Sequence, residues 1–119
     1  MPLTELERTV VEWRKKGLVW VEAKLKSDLL EKDKDSFLAG IINALRKADP
    51  EASDTKLKAQ AQASQEYRDF VQGMVLAKHA ELTARVEYDF VDKLFSARQS
   101  DQSMERAKIE KGIFHEGGR

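Results

Sequence analysis

Residues 65–98 read QEYRDFVQGMVLAKHAELTARVEYDFVDKLFSAR. Apolar or small side chains recur there in steps of three and four: Tyr67, Val71, Met74, Ala77, Ala84, Tyr88, Val91 and Phe95, closing on Arg98, with Glu81 an internal exception. That spacing keeps one face of an α-helix apolar over the whole stretch and reads as a heptad seam. A second stripe, Val75, Leu82, Val86, Phe90 and Leu94, runs beside the first. At 1.5 Å per residue the helix spans about 50 Å, long for a globular helix and ordinary for a coiled coil. A helix that is apolar on two sides needs two neighbours.

The neighbour within the chain lies upstream. Thr4 followed by Glu7 is a capping box, and a helix is expected from Thr4 to Ala48. Its seam reads Leu3, Leu6, Val10, Trp13, Gly17 and Trp20, and a second stripe runs through Val11, Leu18, Val21, Leu25 and Leu29. The charged run Glu31-Lys32-Asp33-Lys34-Asp35 interrupts the pattern before Phe37, Leu38, Ile41, Ile42 and Leu45 restore it. Ser36 is a possible cap for a new helix, so the pattern leaves open both a continuous helix and a break at residues 33–36. Ala48-Asp49-Pro50 ends the helix, because the residue before a proline is pushed out of the helical region.

Ser53 caps a short helix to Gln62, and Ser64 caps the long one. Beyond Arg98, the polar stretch Gln99–Ser103 is expected to end or fray the long helix. Met104, Ala107 and Ile109 keep a weak period, and Gly112 with Gly117-Gly118-Arg119 marks a loose terminus. The organisation expected is a single helical domain over residues 1–98, with helices at 4–48, 53–62 and 65–98 and a weakly structured or helical tail at 99–119. The fold class is all-α: a long antiparallel helical hairpin with a shorter connecting helix, coiled-coil-like and oligomeric.

Composition removes several kinds of protein. Among 119 residues, 21 Lys and Arg balance 21 Asp and Glu, and cysteine is absent. Without cysteine there is no disulfide framework, zinc ribbon or thiol nucleophile, which fits a cytoplasmic protein. Glu5, Glu7, Arg8 and Glu12 argue against a secretory signal at the start, and no apolar run approaches the roughly 20 residues that span a bilayer. Before Glu51 ten basic residues face nine acidic ones and from Glu51 on eleven face twelve, so neither part carries the basic excess of a duplex-DNA binder.

Chemistry-bearing motifs are missing. No His-Glu-x-x-His or Glu-x-x-His spacing exists around His79 or His115, and no nucleophile elbow, phosphate loop or dinucleotide fingerprint occurs. Asp89 with Asp92, and Glu66 with Asp69, read as solvated helix faces. Gly17, Gly40 and Gly73 stand singly inside helices, each costing about 1 kcal/mol against alanine, and close helix approach is the reason expected for them. No catalytic, cofactor-binding or metal-binding residue is assigned, and a non-enzymatic protein is expected.

Two surfaces are candidates for binding. The segment Trp13-Arg14-Lys15-Lys16-Gly17-Leu18-Val19-Trp20 sets three cations between two aromatics, a pattern that stacks bases and holds phosphates of single-stranded DNA. Trp13 and Trp20 are seven residues apart on the apolar seam, so packing is the competing role for them. On the long helix, Tyr67, Val71, Met74, Tyr88, Val91 and Phe95 form the candidate oligomer interface. An amphipathic membrane helix fits poorly, because acidic and basic residues share the polar faces.

Ala63-Ser64-Gln65-Glu66-Tyr67-Arg68-Asp69-Phe70, then Ala84-Arg85-Val86-Glu87-Tyr88, then Arg98 and Glu105-Arg106-Ala107 carry a family likeness, and Lys24–Leu45 adds to it less distinctly. The stretch from Ser53 to Lys111 resembles small helical accessory proteins of phages and prophages encoded beside genes for single-strand annealing and recombination. The resemblance covers about half the chain and implies an accessory role in phage DNA metabolism, with no catalytic motif to carry over. The tryptophan-glycine turn of tubular secretion-system hairpins is absent, since Val21-Glu22 follows Trp20. The expected function is a helical interaction or scaffold protein that self-associates and docks on a protein partner. Weak single-stranded nucleic-acid binding through Trp13, Arg14, Lys15, Lys16 and Trp20 is the alternative.

Overall fold

The computed structural model describes residues 2–117, with side chains to residue 109, and His115, Gly118 and Arg119 fall outside what is described in side chain or altogether. Three helices follow one another: α1 (Glu5–Ala48), α2 (Asp54–Ala63) and α3 (Gln65–Gly117). No strand occurs among the described residues. The all-α hairpin with a shorter connecting helix is the architecture observed.

The chain divides into two compact units. The first joins the α1 residues up to Trp20 with the α3 residues from Ala84 on, and the second comprises Val21–Thr83. The reason lies in the side chains, since each unit gathers its own aromatic-centred core.

In the first unit α1 and α3 run antiparallel, because contacts climb α1 as they descend α3: Thr9 meets Arg98, Trp13 meets Asp92 and Lys16 meets Glu87. Helix α1 begins where the sequence places its cap, with the Thr4 hydroxyl accepting from the Glu7 amide at 3.1 Å. Its buried face passes through Leu6, Thr9, Trp13, Lys16, Gly17 and Trp20. The expected seam holds at Leu6, Trp13, Gly17 and Trp20 and fails at Leu3 and Val10. Thr9 is only 3 % exposed, whereas Leu3 and Val10 stand in solvent. Thr9 tolerates burial because its hydroxyl donates to the Glu5 carbonyl at 2.8 Å and accepts from Arg98.

In the second unit Phe37 stacks on Phe70, with ring centroids 4.4 Å apart and planes 12° from parallel. In the same unit Ile41 is buried, and α2 adds Leu57 and Ala61, both fully enclosed. Helix α1 continues through residues 33–36 without a break, and Ser36 caps nothing. The charged run stays exposed, while Leu30 and Phe37, seven residues apart, resume the buried face on either side of it. Ser53 accepts from the Lys56 amide to start α2. A single residue, Ser64, then separates α2 from α3: its backbone is extended, its hydroxyl donates to the Ala61 carbonyl at 2.6 Å, and it accepts from the Tyr67 amide at 3.2 Å.

Helix α3 runs on past Arg98 to Gly117, the helical alternative for the tail. Gln99–Ser103 is polar and exposed, yet it holds no proline or glycine to break the backbone, so the ladder of helical hydrogen bonds runs through it.

Candidate interaction surfaces

The first unit is built on a ladder of four rings supplied alternately by the two helices. Phe95 stacks on Trp13 (centroids 5.6 Å, planes 14° apart), Trp13 on Tyr88 (6.3 Å, 28°) and Tyr88 on Trp20 (5.3 Å, 29°). Trp13 and Trp20 are one heptad apart on α1, as Tyr88 and Phe95 are on α3, so two seven-residue repeats interdigitate. Gly17 makes the room, because a Cβ built there would stand 3.2 Å from Tyr88 Cε2. The Trp13 indole N–H donates to Asp92 at 3.1 Å. The Trp20 indole nitrogen is buried without a partner, and the Arg85 guanidinium sits 6.0 Å from its ring.

The Trp13–Trp20 segment is therefore split between two environments. Trp13 and Trp20 face α3 and stack inside the chain, and Lys16 is paired with Glu87 at 3.1 Å. Arg14 and Lys15 point to solvent. The five residues do not converge on one surface, because helical periodicity sends positions 14 and 15 away from the face that holds 13, 16 and 20.

The residues expected at an oligomer interface lie in the intrachain seam instead. In the first unit Val91 is buried and Tyr88 and Phe95 belong to the ring ladder; in the second, Tyr67, Val71 and Met74 are half-buried. The regular seam was read correctly as a packing face, but its partner is the other arm of the same chain. What remains outside is the second stripe apart from Leu94, which is half-buried. In the first unit Val11, Leu18, Val86 and Phe90 are exposed, the last two at 69 % and 68 %, and in the second Val21, Leu25, Leu29, Val75 and Leu82 are exposed. Glu81, the one charge in the α3 seam, is 7 % exposed and accepts from Lys78 at 3.2 Å.

An open groove of about 730 Å³ follows this stripe in the first unit. One wall is the α1 row Arg8, Glu12 and Lys16, and the other is the α3 row Val86, Phe90 and Leu94. The acidic pairs on helix faces have local partners: Asp69 accepts from Gln65 at 2.7 Å, Asp89 lies 4.0 Å from Arg85, and Asp92 holds Trp13. His79 is exposed. No group of three metal-ligating side chains occurs among the described residues, and none of their helices is long and apolar enough to cross a membrane.

Sequence reasoning missed the Glu5–Thr9–Arg98 tie and the Trp13–Asp92 bond. The first was hidden by taking Val10 as the seam position, and the second by reading Asp92 with Asp89 as one solvated face. Comparison of the chain with protein-family models, with curated proteins and with solved structures finds no match.

Proposed function

We propose that this chain is a non-enzymatic helical interaction protein, a scaffold or accessory factor that works by associating through its outer faces. The observation that carries the reading is the division of side chains. The seam of the first unit includes Thr9, Lys16, Gly17 and Ala84, while Val11, Leu18, Val86 and Phe90 stand outside. Large aliphatic and aromatic side chains grouped in solvent are the mark of a contact face.

An accessory role in phage or prophage DNA recombination, in the cytoplasm, is the biological setting that the resemblance of Ser53–Lys111 suggests. Single-stranded nucleic-acid binding is the less supported reading. The rings of Trp13 and Trp20 already have stacking partners within the chain, and Lys16 already has an anion.

Light scattering at tens of micromolar, beside a titration with labelled single-stranded and duplex oligonucleotides at two salt concentrations, tests the proposal. A mass above 13.6 kDa with no salt-sensitive oligonucleotide binding is expected. A monomer that binds single strands tightly, with tryptophans open to iodide quenching, would replace the proposal with the nucleic-acid reading.

A further inference from the structure

Helices α2 and α3 are separated by one residue, and one torsion of that residue makes the separation. Ser64 has a φ of −69°, already that of an α-helix, and a ψ of 150°, which is extended. Turning that ψ to about −40° joins Asp54–Ala63 to Gln65–Gly117 as one helix. No proline or glycine lies between Glu51 and Gln72, and the junction reads Ala61-Gln62-Ala63-Ser64-Gln65-Glu66. Apart from the serine these are strong helix formers, so local preference pulls against the bend. What holds the bend is narrow. The Ser64 hydroxyl closes both helices, donating to the Ala61 carbonyl and accepting from the Tyr67 amide. Leu57 and Ala61 are the buried residues of α2. Two exposed ion pairs, Arg46 with Asp54 and Lys56 with Asp49, tie the start of α2 to the end of α1 and to the connector, and exposed pairs hold weakly.

We propose that Ser64 is a two-state hinge, at which α2 swings off its seat in the second unit and continues α3 as a single helix. The inference is independent of what binds the outer stripes. The sequence fits both states. Leu57 stands two heptads before Val71, so a straight helix keeps it in phase with the inward face of α3. Ala61, in phase with Val75, is the small residue that turns to solvent. The amides of Gln65 and Glu66, in the first turn of α3 when the chain is bent, gain the carbonyls of Ala61 and Gln62 when it is straight. Swinging out lengthens the α3 arm by α2, about 15 Å, and uncovers the surface that encloses Leu57.

The connector between α1 and α2 permits the swing. In the second unit α1 and α3 run antiparallel, with Ser27 and Lys78 lining one cleft and Phe37 stacked on Phe70. From the level of that ring pair, Ala48 stands about 16 Å along α1, and Asp54 of a straight helix stands about 24 Å along the same direction. With helix axes about 9 Å apart, the gap from Ala48 to Asp54 is about 12 Å. Residues 49–53 reach about 20 Å when extended, so α1 and α3 stay packed in both states.

The chain has no cysteine, and Thr55 and His79 are exposed, so spin labels on Thr55→Cys and His79→Cys of the full-length chain report the hinge without background. A straight helix sets these two positions about 36 Å apart, and the bend at Ser64 shortens that distance. The parent is expected to show the shorter distance as its main population and the longer one as a minor population. Ser64→Ala removes both caps and favours helix, and it is expected to raise the long-distance fraction about tenfold, with new amide protection at Gln65 and Glu66. Gln65→Pro is expected to abolish the long distance, because proline suits the first position of a helix that follows an extended residue and breaks a continuous one. A Ser64→Ala chain that keeps the short distance alone overturns the proposal. So does one whose amides over Asp54–Ala63 lose protection, since α2 then melts instead of joining α3. A long distance that persists in Gln65→Pro overturns it as well.

Discussion

The ring of Tyr88 lies over Gly17, at a distance that leaves no slack for a side chain: a Cβ on Gly17 would stand 3.2 Å from Cε2 and 3.5 Å from Cδ2. The glycine therefore acts as the hole for an aromatic knob flanked by Trp13 and Trp20. Gly17→Ala gains about 1 kcal/mol of helix propensity and loses a similar amount to the crowded ring. It is expected to stay within about 1 kcal/mol of the parent. Gly17→Leu cannot be accommodated without expelling Tyr88, and it is expected to cost about 2 kcal/mol or more in urea unfolding. A loss of near-ultraviolet circular dichroism from the tryptophans should accompany it.

Close approach was the reason expected for all three helical glycines, and only Gly17 has it. Nothing lies within 4 Å of a Cβ at Gly40 or Gly73. Both positions then carry the conformational cost of glycine with no packing return. Gly40→Ala and Gly73→Ala are each expected to stabilise the protein by up to about 1 kcal/mol, and to add when combined. Thermal melts of the two single variants and the double variant check this, and a destabilised variant would mean that the glycine serves a contact formed only on association.

The sequence was most legible where apolar period and burial agree. On α3, every position of the first stripe from Tyr67 to Arg98 is buried or half-buried, Glu81 included, because the heptad repeat leaves a long helix one face to turn inward. On α1, two stripes competed, and hydrophobicity favoured Val10 over Thr9. Burial of Thr9 depends on Arg98, whose position 89 residues away no local pattern reports. The two units, the ring ladder and the sidedness of Arg14 and Lys15 likewise depend on which helix faces which. The candidate interface has the same limit: periodicity identifies a packing face but does not say whether its partner is the same chain or another.

Arg98 ties the start of α1 to α3. Its Nη1 donates to the Glu5 carbonyl at 3.1 Å and to the Thr9 hydroxyl. Arg98→Ala removes a charged donor from a buried hydroxyl and is expected to cost about 1–2 kcal/mol. Thr9→Val removes the hydroxyl but keeps the shape, and Arg98 retains the Glu5 carbonyl, so its expected cost is under about 1 kcal/mol. Amide exchange over Leu6–Trp13 separates the two, since Arg98→Ala should speed it and Thr9→Val should not.

Helix α2 is attached to the second unit by few residues. Leu57 and Ala61 are its only buried positions, and Leu57 is fully enclosed. Leu57→Ala is expected to cost about 2–5 kcal/mol, by loss of apolar contact and by the cavity left behind. Amide exchange should localise the loss to α2 and to the residues around Phe37 and Phe70, with little change in the Trp13–Tyr88 region.

Trp13 stands between Phe95 and Tyr88 in the ladder and Trp20 at its end beside Tyr88, and their indole N–H groups differ in fate. The Trp13 indole N–H is bonded to the Asp92 carboxylate, whereas the Trp20 indole N–H is buried with no partner. Phenylalanine keeps an aromatic ring at either rung and removes the N–H. At position 13 that strands a half-buried carboxylate, a loss of about 1.5–3 kcal/mol for a bond to a charged group, in addition to the smaller ring. At position 20 it removes an orphaned donor, which offsets much of the lost ring area. Trp13→Phe is therefore expected to destabilise the protein by at least about 1 kcal/mol more than Trp20→Phe in urea unfolding. Equal losses would mean that the Trp13–Asp92 bond contributes no more than the ring area that both variants lose.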